Sequence, residues 1–481
     1  MEESLPINRF FDEYNPRKKV PRRTYARLDD FEPIYGNISE SDLLVFDVVD
    51  ADWHGFDDNG PFPLKTIGFE KEMANFWKGR FSGDVISPKN FEEIPVYHIE
   101  VASDLFSEVV SKPIDEETWY LMELSNTEIG IPVKVYGGLF SEPLDAFLID
   151  VSEDNVTVPQ LALSAAFDMD FWPDESSQKL ITTLSNTCEL SAVVCFDVGQ
   201  GLASALICQC GFPIYYFDTG RGSRRNAPTA PAFVDFCACD DPTIILSHWD
   251  TDHWAGSIKN AAMLSQKWIV PRQKISVTHT LFADSILSHG GSIHVIRNNT
   301  NALQWSYGAQ HFELQRGTGT GRNQSGLILV VEDQFHSRSW VLNGDTSYNY
   351  VPHNIRSDIA AMMVPHHGAN LGPSSIPFSP SVGSKYRRLL YSFGPNNSHG
   401  PNTPPVRHPV SSAVSAHHSS GWLHGAWSLL TPANCLAAGD VLATATHSST
   451  HLGGIAAGWK TPPALNGHLN ICSHVMPITQ T

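Results

Sequence analysis

TIILSHWDTDHWAG, residues 243–256, is an apolar strand-like run that breaks into a dense cluster of histidine and aspartate. His248, Asp250, Asp252 and His253 all fall between positions 248 and 253. An apolar run of this length, bounded by polar residues, reads as a buried strand. In a tight loop after a strand, residues i and i+2 can address one cation and the following Asp-His pair a second. Imidazole and carboxylate together suit zinc or manganese.

The same design recurs outward along the chain. Upstream, SAVVCFDVGQG (191–201), ASALICQC (203–210) and PIYYFDTG (213–220) read as strands, the first and last ending in Asp and Gly. Downstream, SWVLNGDTS ends at Gly344-Asp345, AAMMVPHHGA at Pro365-His366-His367-Gly368, and LLYSFGPNNSHG at Asn396, Asn397 and His399. Each run delivers polar groups just past its C-terminal end, where loops of a layered α/β core converge on a site.

In this order, DVGQG, DTG, SHWDTDHWAG, RNQSGLILV, NGD, VPHHGA and SFGPNN resemble the metallo-β-lactamase superfamily, and within it the hydrolase domain of ComEC-type competence proteins. The likeness spans roughly residues 190–400. It implies an αββα sandwich and two divalent metal ions, zinc or manganese. His248 and Asp250 would hold one metal, Asp252, His253 and His367 the other, and Asp345 would bridge them. Asp218 would support the metal loop by hydrogen bonding. A hydroxide shared by metals about 3.5–4 Å apart would be the nucleophile. Asp252, with His366 or His399 as proton donor to the leaving group, completes the implied catalytic set. There are departures. Leu202 stands where the family carries an acidic residue, Ala255 replaces a glycine, and Gly400 is followed by Pro401-Asn402 rather than His-Pro. His408-Pro409 is a second candidate for that motif, and His311 the candidate for the third-motif histidine.

Arg221, Arg224 and Arg225, in a glycine-containing loop, suit phosphate binding. Asn323 and Ser325, ahead of the strand GLILVV, and Asn396 add polar groups. The expectation is therefore a two-metal phosphodiesterase acting on nucleic acid. The alternatives are a small-molecule phosphoesterase or other hydrolase on the same fold, and a metal-binding regulatory protein without turnover.

The rest of the chain sets the frame. Its 481 residues suggest two or three domains at roughly 150 residues each, and 42% hydrophobic residues exclude wholesale disorder. Glycine and proline show no period, against collagen-like and solenoid folds. No run approaches the 18 or so apolar residues of a membrane span, and no apolar run follows the charges of the first 23 residues, so a cytoplasmic chain without a secretory signal is expected.

The net charge of −19 is concentrated before residue 186, and residues 186–408 are mildly basic, so bulk charge does not argue against a polyanionic substrate. The predicted organisation is a basic tail at 1–30, an acidic α+β domain at 31–185, the hydrolase domain at 186–408, and a partly ordered segment rich in His, Ser, Ala and Gly at 409–481. The acidic domain is open to three readings: a solvated surface, an autoinhibitory mimic of nucleic acid, or a site for a basic protein partner. Cys208/Cys210 and Cys237/Cys239 read as thiols in a reducing compartment. The tail histidines, among them His417 and His418, lack regular ligand spacing.

Overall fold

The apolar runs fold as strands of three sheets in a mixed α/β computed structural model, which describes residues 7–32, 42–84, 90–110, 114–153, 157–185, 188–352, 358–380, 383–400, 406–423, 439–444, 454–463 and 478–480. The chain divides into two compact units. One comprises Met1–Pro173, Lys274–His289 and Ser398–Val406, the other Asp174–Gln273, Gly290–Asn397 and Arg407–Thr481. Among the described residues, no helix is long and apolar enough to cross a membrane.

In the first unit, β1 (Arg23–Glu32), β2 (Leu43–Asp50), β3 (Val96–Ala102), β4 (Trp119–Ser125), β5 (Ile131–Tyr136) and β6 (Leu144–Glu153) close into a barrel in the order β1-β2-β3-β5-β6-β4. Every pairing is antiparallel. Alternate side chains share a face, and Phe46, Val48, Ile99, Met122 and Val135 form the barrel core. On the other face of β2 and β3, buried Asp47 accepts hydrogen bonds from His98 Nδ1 at 2.7 Å and from the backbone N–H of Thr278 at 3.0 Å. Thr278 opens the helix Val277–Ser288, so Asp47 satisfies an unpaired helix-end donor where the dipole favours negative charge.

Residues 7–30 are not a tail. Phe10 and Phe11 are buried, and Arg23 begins β1. Arg27 on that strand is 1% exposed, paired with Asp168 at 3.2 Å and lying 5.6 Å from the Trp119 ring centroid. Its charge is neutralised inside the unit instead of being displayed.

The second unit holds two sheets. The first contains β7 (Leu190–Cys195), β8 (Ala203–Cys208), β9 (Pro213–Thr219), β10 (Thr243–Ile245), β11 (Lys267–Pro271) and β12 (Ser292–Ile296). The second contains β13 (Leu303–Tyr307), β14 (Gln310–Arg316), β15 (Leu327–Asp333), β16 (Arg338–Leu342), β17 (Asp358–Met363), β18 (Arg388–Tyr391) and β19 (Val441–Ala443). The strands β20 (Gly454–Ala457) and β21 (Ile478–Gln480) extend the first sheet beyond β7. Buried side chains from both sheets, including Leu206, Phe217, Ile245, Leu329, Trp340 and Met363, form one continuous core.

Three further expectations change here. The boundary lies at 173/174, because the helix Ser177–Leu184 buries Leu180 and Leu184 in the two-sheet core. The described residues after 409 are not a separate segment. They supply β19 and β20, and Trp459 stacks on Trp340 with ring centroids 3.6 Å apart. The cysteines are not all thiols, since Cys237 is disulfide-bonded. Of the tail histidines, His417 and His418 lie in the helix Ser411–Ser419, whereas His424, His447, His451, His468 and His474 lie outside the described residues.

Candidate metal centre

Parallel strands end on the same side, and here that edge carries the polar residues. The pairs β9–β10, β16–β17 and β17–β18 are parallel. Asp218 lies at the C-terminal end of β9, His248 just beyond β10, Asp345 beyond β16, His366 and His367 beyond β17, and Ser392 beyond β18. This is the edge at which open α/β sheets bind ligands.

The loop after β10 is held by its own tryptophans. Trp249 and Trp254 are fully buried; Trp249 Nε1 donates to the Pro271 carbonyl at 2.9 Å and Trp254 Nε1 to that of Trp249 at 2.8 Å. Glycines let the loop dock. A Cβ on Gly220 would come within 1.7 Å of the Asp252 carbonyl oxygen, and that oxygen accepts the Leu202 backbone N–H at 3.0 Å. Leu202, where an acidic residue was expected, puts its side chain into the sheet core.

Three imidazoles converge, and each has its Nδ1 fixed from behind. Asp218 accepts from the Ser247 backbone N–H at 2.6 Å, from Ser247 Oγ at 2.6 Å and from His253 Nδ1 at 2.8 Å. With its proton on Asp218, Ser247 Oγ can accept from His248 Nδ1 at 2.9 Å. His367 Nδ1 donates to the Ser392 carbonyl at 2.8 Å. A neutral imidazole that donates through Nδ1 has its lone pair on Nε2.

Those Nε2 atoms face carboxylates. His248 Nε2 lies 3.2 Å from Asp250 and 4.0 Å from Asp345. His253 Nε2 lies 3.3 Å from Asp345 and 3.8 Å from Asp252. His367 Nε2 lies 3.1 Å from Asp252 and 4.0 Å from Asp345. His248 Nε2 and His253 Nε2 are buried without a hydrogen bond of acceptable geometry. His367 Nε2 is within hydrogen-bond distance of Asp252 Oδ2 at 3.1 Å. Two overlapping groups result: His248, His253 and Asp345, and Asp252, His253 and His367.

Electrostatics follows from this crowding. Burial works to raise Asp252, but His253 and His367 outweigh it and hold the carboxyl at about 2. Burial likewise opposes charge on Asp345, yet His253, His366 and His367 keep it well below the usual carboxylate range. Burial disfavours the imidazolium of His253, but Asp345, Asp218 and Asp252 raise it well above the ordinary histidine value. His367 is raised against burial by Asp345 and Asp252. The carboxylates thus demand positive charge at their centre.

The backbone is strained at the same points. Asp218, His366 and His367 have φ of 62°, 49° and 53°, in the left-handed region that non-glycine residues rarely occupy. Such outliers cluster where surrounding structure enforces a functional geometry.

The other expected residues are placed as follows. His366, with a side chain 31% exposed, donates its backbone N–H to Asp345 Oδ1 at 3.1 Å. Its ring centroid is 5.8 Å from that of His408. His399 falls in the segment Ser398–Val406 of the other unit, where its backbone N–H bonds to Val406. His311 is on β14, beside Ser306. Arg224 donates to Thr251 Oγ1 at 2.8 Å, against the loop after β10, and half-buried Arg221 reaches the Pro231 carbonyl at 3.5 Å. Arg225 is half-buried in the same turn. Asn323, in the turn Gly321–Gln324, accepts Thr346 Oγ1 on its backbone carbonyl at 2.8 Å. Asn396 is exposed and paired with Arg407 at 3.0 Å.

Two positions at the candidate centre escaped sequence reasoning. Ser247 links Asp218 to both histidines of the loop; its only signal was being the last residue before His248. Arg322 lies 2.8 Å from Asp250 Oδ1, and with His248 it depresses the Asp250 carboxyl despite burial, which acts the other way. It adjoins Asn323.

No protein-family model and no curated protein matches the chain. Among solved structures, it is similar to Zn(2+)-bound PqqB from Methylobacterium extorquens at 8% identity and TM-score 0.23, covering 36% of this chain and 71% of that one. A Cronobacter sakazakii metallo-β-lactamase with a HARLDQ motif gives 13% identity and TM-score 0.21, over 37% and 68%. Unliganded yeast PDE1 gives 10% and 0.27, over 61% and 98%. Likenesses this loose transfer neither fold nor function, so the functional reading rests on the side chains themselves.

Proposed function

We propose that the chain is a metal-dependent hydrolase of phosphodiesters, acting on nucleic acid, built on an αββα sandwich of the metallo-β-lactamase type. The observation that carries the metal reading is the common wiring of His248, His253 and His367. Each Nδ1 is tied to a fixed partner and each Nε2 is turned toward Asp250, Asp252 or Asp345. Histidine ligands are held in this way in metal sites. The donor set of imidazoles and carboxylates fits zinc or manganese. His248, Asp250, Asp252, His253, Asp345 and His367 would hold two divalent cations. Such cations supply Lewis acidity and an acidified water.

The chain's own residues do the rest. Asp218 and Ser247 orient the loop histidines. Asp345 reaches toward His248, His253 and His367, which suits a bridging position. His366, partly exposed beside Asp345, would give a proton to a leaving oxygen. The phosphodiester preference rests on Arg224 and Arg322, which bring guanidinium charge to the metal loop and match phosphate oxygens.

The test is cleavage of end-labelled single- and double-stranded DNA with added Mn²⁺ or Zn²⁺, beside Asp252→Ala. Degradation that needs the metal and disappears in the variant supports the reading. Intact DNA, with turnover of a small phosphodiester instead, would remove the nucleic-acid part and leave the hydrolase.

A further inference from the structure

The strand β8 has two functional ends. Its first residues adjoin the Asp252 loop. Its last residue, Cys208, lies five positions on, roughly 17 Å away at strand rise, and there a second set of ligand-type side chains gathers. Cys188, Cys208 and Cys210 bring their sulfurs within 4.8 Å of one another, and Cys188 Sγ is 3.6 Å from Cys210 Sγ. The register explains the meeting. Leu190 pairs with Cys208 across β7 and β8, and the Gln209 N–H bonds to the Glu189 carbonyl. Continued one step, this pairing sets Cys188 opposite Cys210. Cys208 and Cys210, at i and i+2, share that face.

We propose that Cys188, Cys208 and Cys210 form a second metal site, a three-thiolate site for a soft or borderline cation, Zn²⁺ or Cu⁺, independent of the histidine-aspartate centre. Thiolates select such cations. Sulfurs about 2.3 Å from a tetrahedral zinc lie about 3.8 Å apart, close to the separation observed. A simple cross-strand disulfide between Cys188 and Cys210 would leave the third sulfur unexplained. Cys210 is exposed and Cys208 is buried, so the site opens to solvent on one side, where a fourth ligand can enter. Burial pushes the Cys208 thiol up to about 11. Metal uptake at Cys208 therefore displaces its proton.

The experiment uses the full chain, reduced and kept free of oxygen, titrated with Co²⁺ as a spectroscopic stand-in for zinc. Thiolate-to-cobalt charge-transfer absorption in the near ultraviolet reports sulfur ligation; imidazole and carboxylate ligands do not produce it. The expected result is a thiolate band in the wild-type chain and in Asp345→Ala. The band should fall at least tenfold in Cys210→Ser and in Cys188→Ser, and zinc should displace the cobalt. Cys210 is exposed in a turn, so its serine variant tests ligation and not folding. Absence of the band in the reduced wild type, or its persistence in both serine variants, overturns the proposal. So does a chain that forms a Cys188–Cys210 disulfide but takes up neither Co²⁺ nor Cu⁺ at these thiols once reduced.

Discussion

Asp218 shows how far a single residue can govern the site without touching substrate. It is fully buried, has a left-handed φ, and accepts three hydrogen bonds that orient Ser247 and His253. Removing it frees the His253 ring to turn and leaves the Ser247 N–H buried without its acceptor. Asp218→Ala is therefore expected to weaken metal binding by about 10–100-fold, read as competition against a chelator of known affinity. Unchanged affinity in a folded variant would mean that His253 is oriented by something else. At this scale much was legible. The six ligand-type residues stand out because a polar cluster after an apolar run needs a reason. Ser247 and Arg322 were not legible, because a serine or an arginine near a turn is ordinary until the fold brings it to Asp218 or Asp250.

Elements were legible where their apolar pattern was clean. The runs at β7–β10 and β16–β18 read as strands and fold as such. β1 did not, because RTYARLDDFE carries charge at positions the fold buries: Arg27 is matched by Asp168, and Asp29 is buried. A paired internal charge looks like a surface charge until its partner is known. The helix Ser411–Ser419 was missed for a similar reason. His417, one of the scattered histidines, is 4% exposed, with Tyr348 Oη 2.7 Å from its Nε2 and its Nδ1 donating to the Ala413 carbonyl at 2.7 Å. Burial lowers it to about 4, against the opposing effect of the Ala413 bond. The unfolded histidine titrates near 6.5. Above that pH both states are neutral and His417 adds no pH dependence. As pH falls from about 6.5 to 4, the unfolded chain takes a proton that the folded chain refuses, so stability drops by about 3 kcal/mol. Denaturant titrations of wild type and His417→Gln at pH 7 and pH 4.5 check this. The wild type should lose more stability than the variant over that interval; parallel losses would show that His417 is not the group responsible.

At the scale of the whole molecule, the division into units was only half legible. The acidic first part does form its own unit, but that unit also takes Lys274–His289 and Ser398–Val406 from far along the chain. Nine of the twelve residues of the helix Val277–Ser288 are buried, and composition gave no hint that it leaves its neighbours in sequence. Deleting residues 1–185 to test autoinhibition therefore does not remove a detachable piece. It strips Asp47, Arg80 and Asp168 from the helix and its flanks and removes the core helix Ser177–Leu184. The truncated chain is expected to aggregate or lose cooperative unfolding, seen by size-exclusion chromatography and thermal melts; a monodisperse, cooperatively folded fragment would contradict this. The central claim is that His248, Asp250, Asp252, His253, Asp345 and His367 form a two-metal centre. Its most direct test is the metal content of the purified chain by elemental mass spectrometry, for Cys210→Ser and for Cys210→Ser combined with Asp345→Ala. The account predicts two divalent metal ions per chain in the first protein and loss of both, or of all but a weakly held one, in the second. Equal metal content in the two would contradict it.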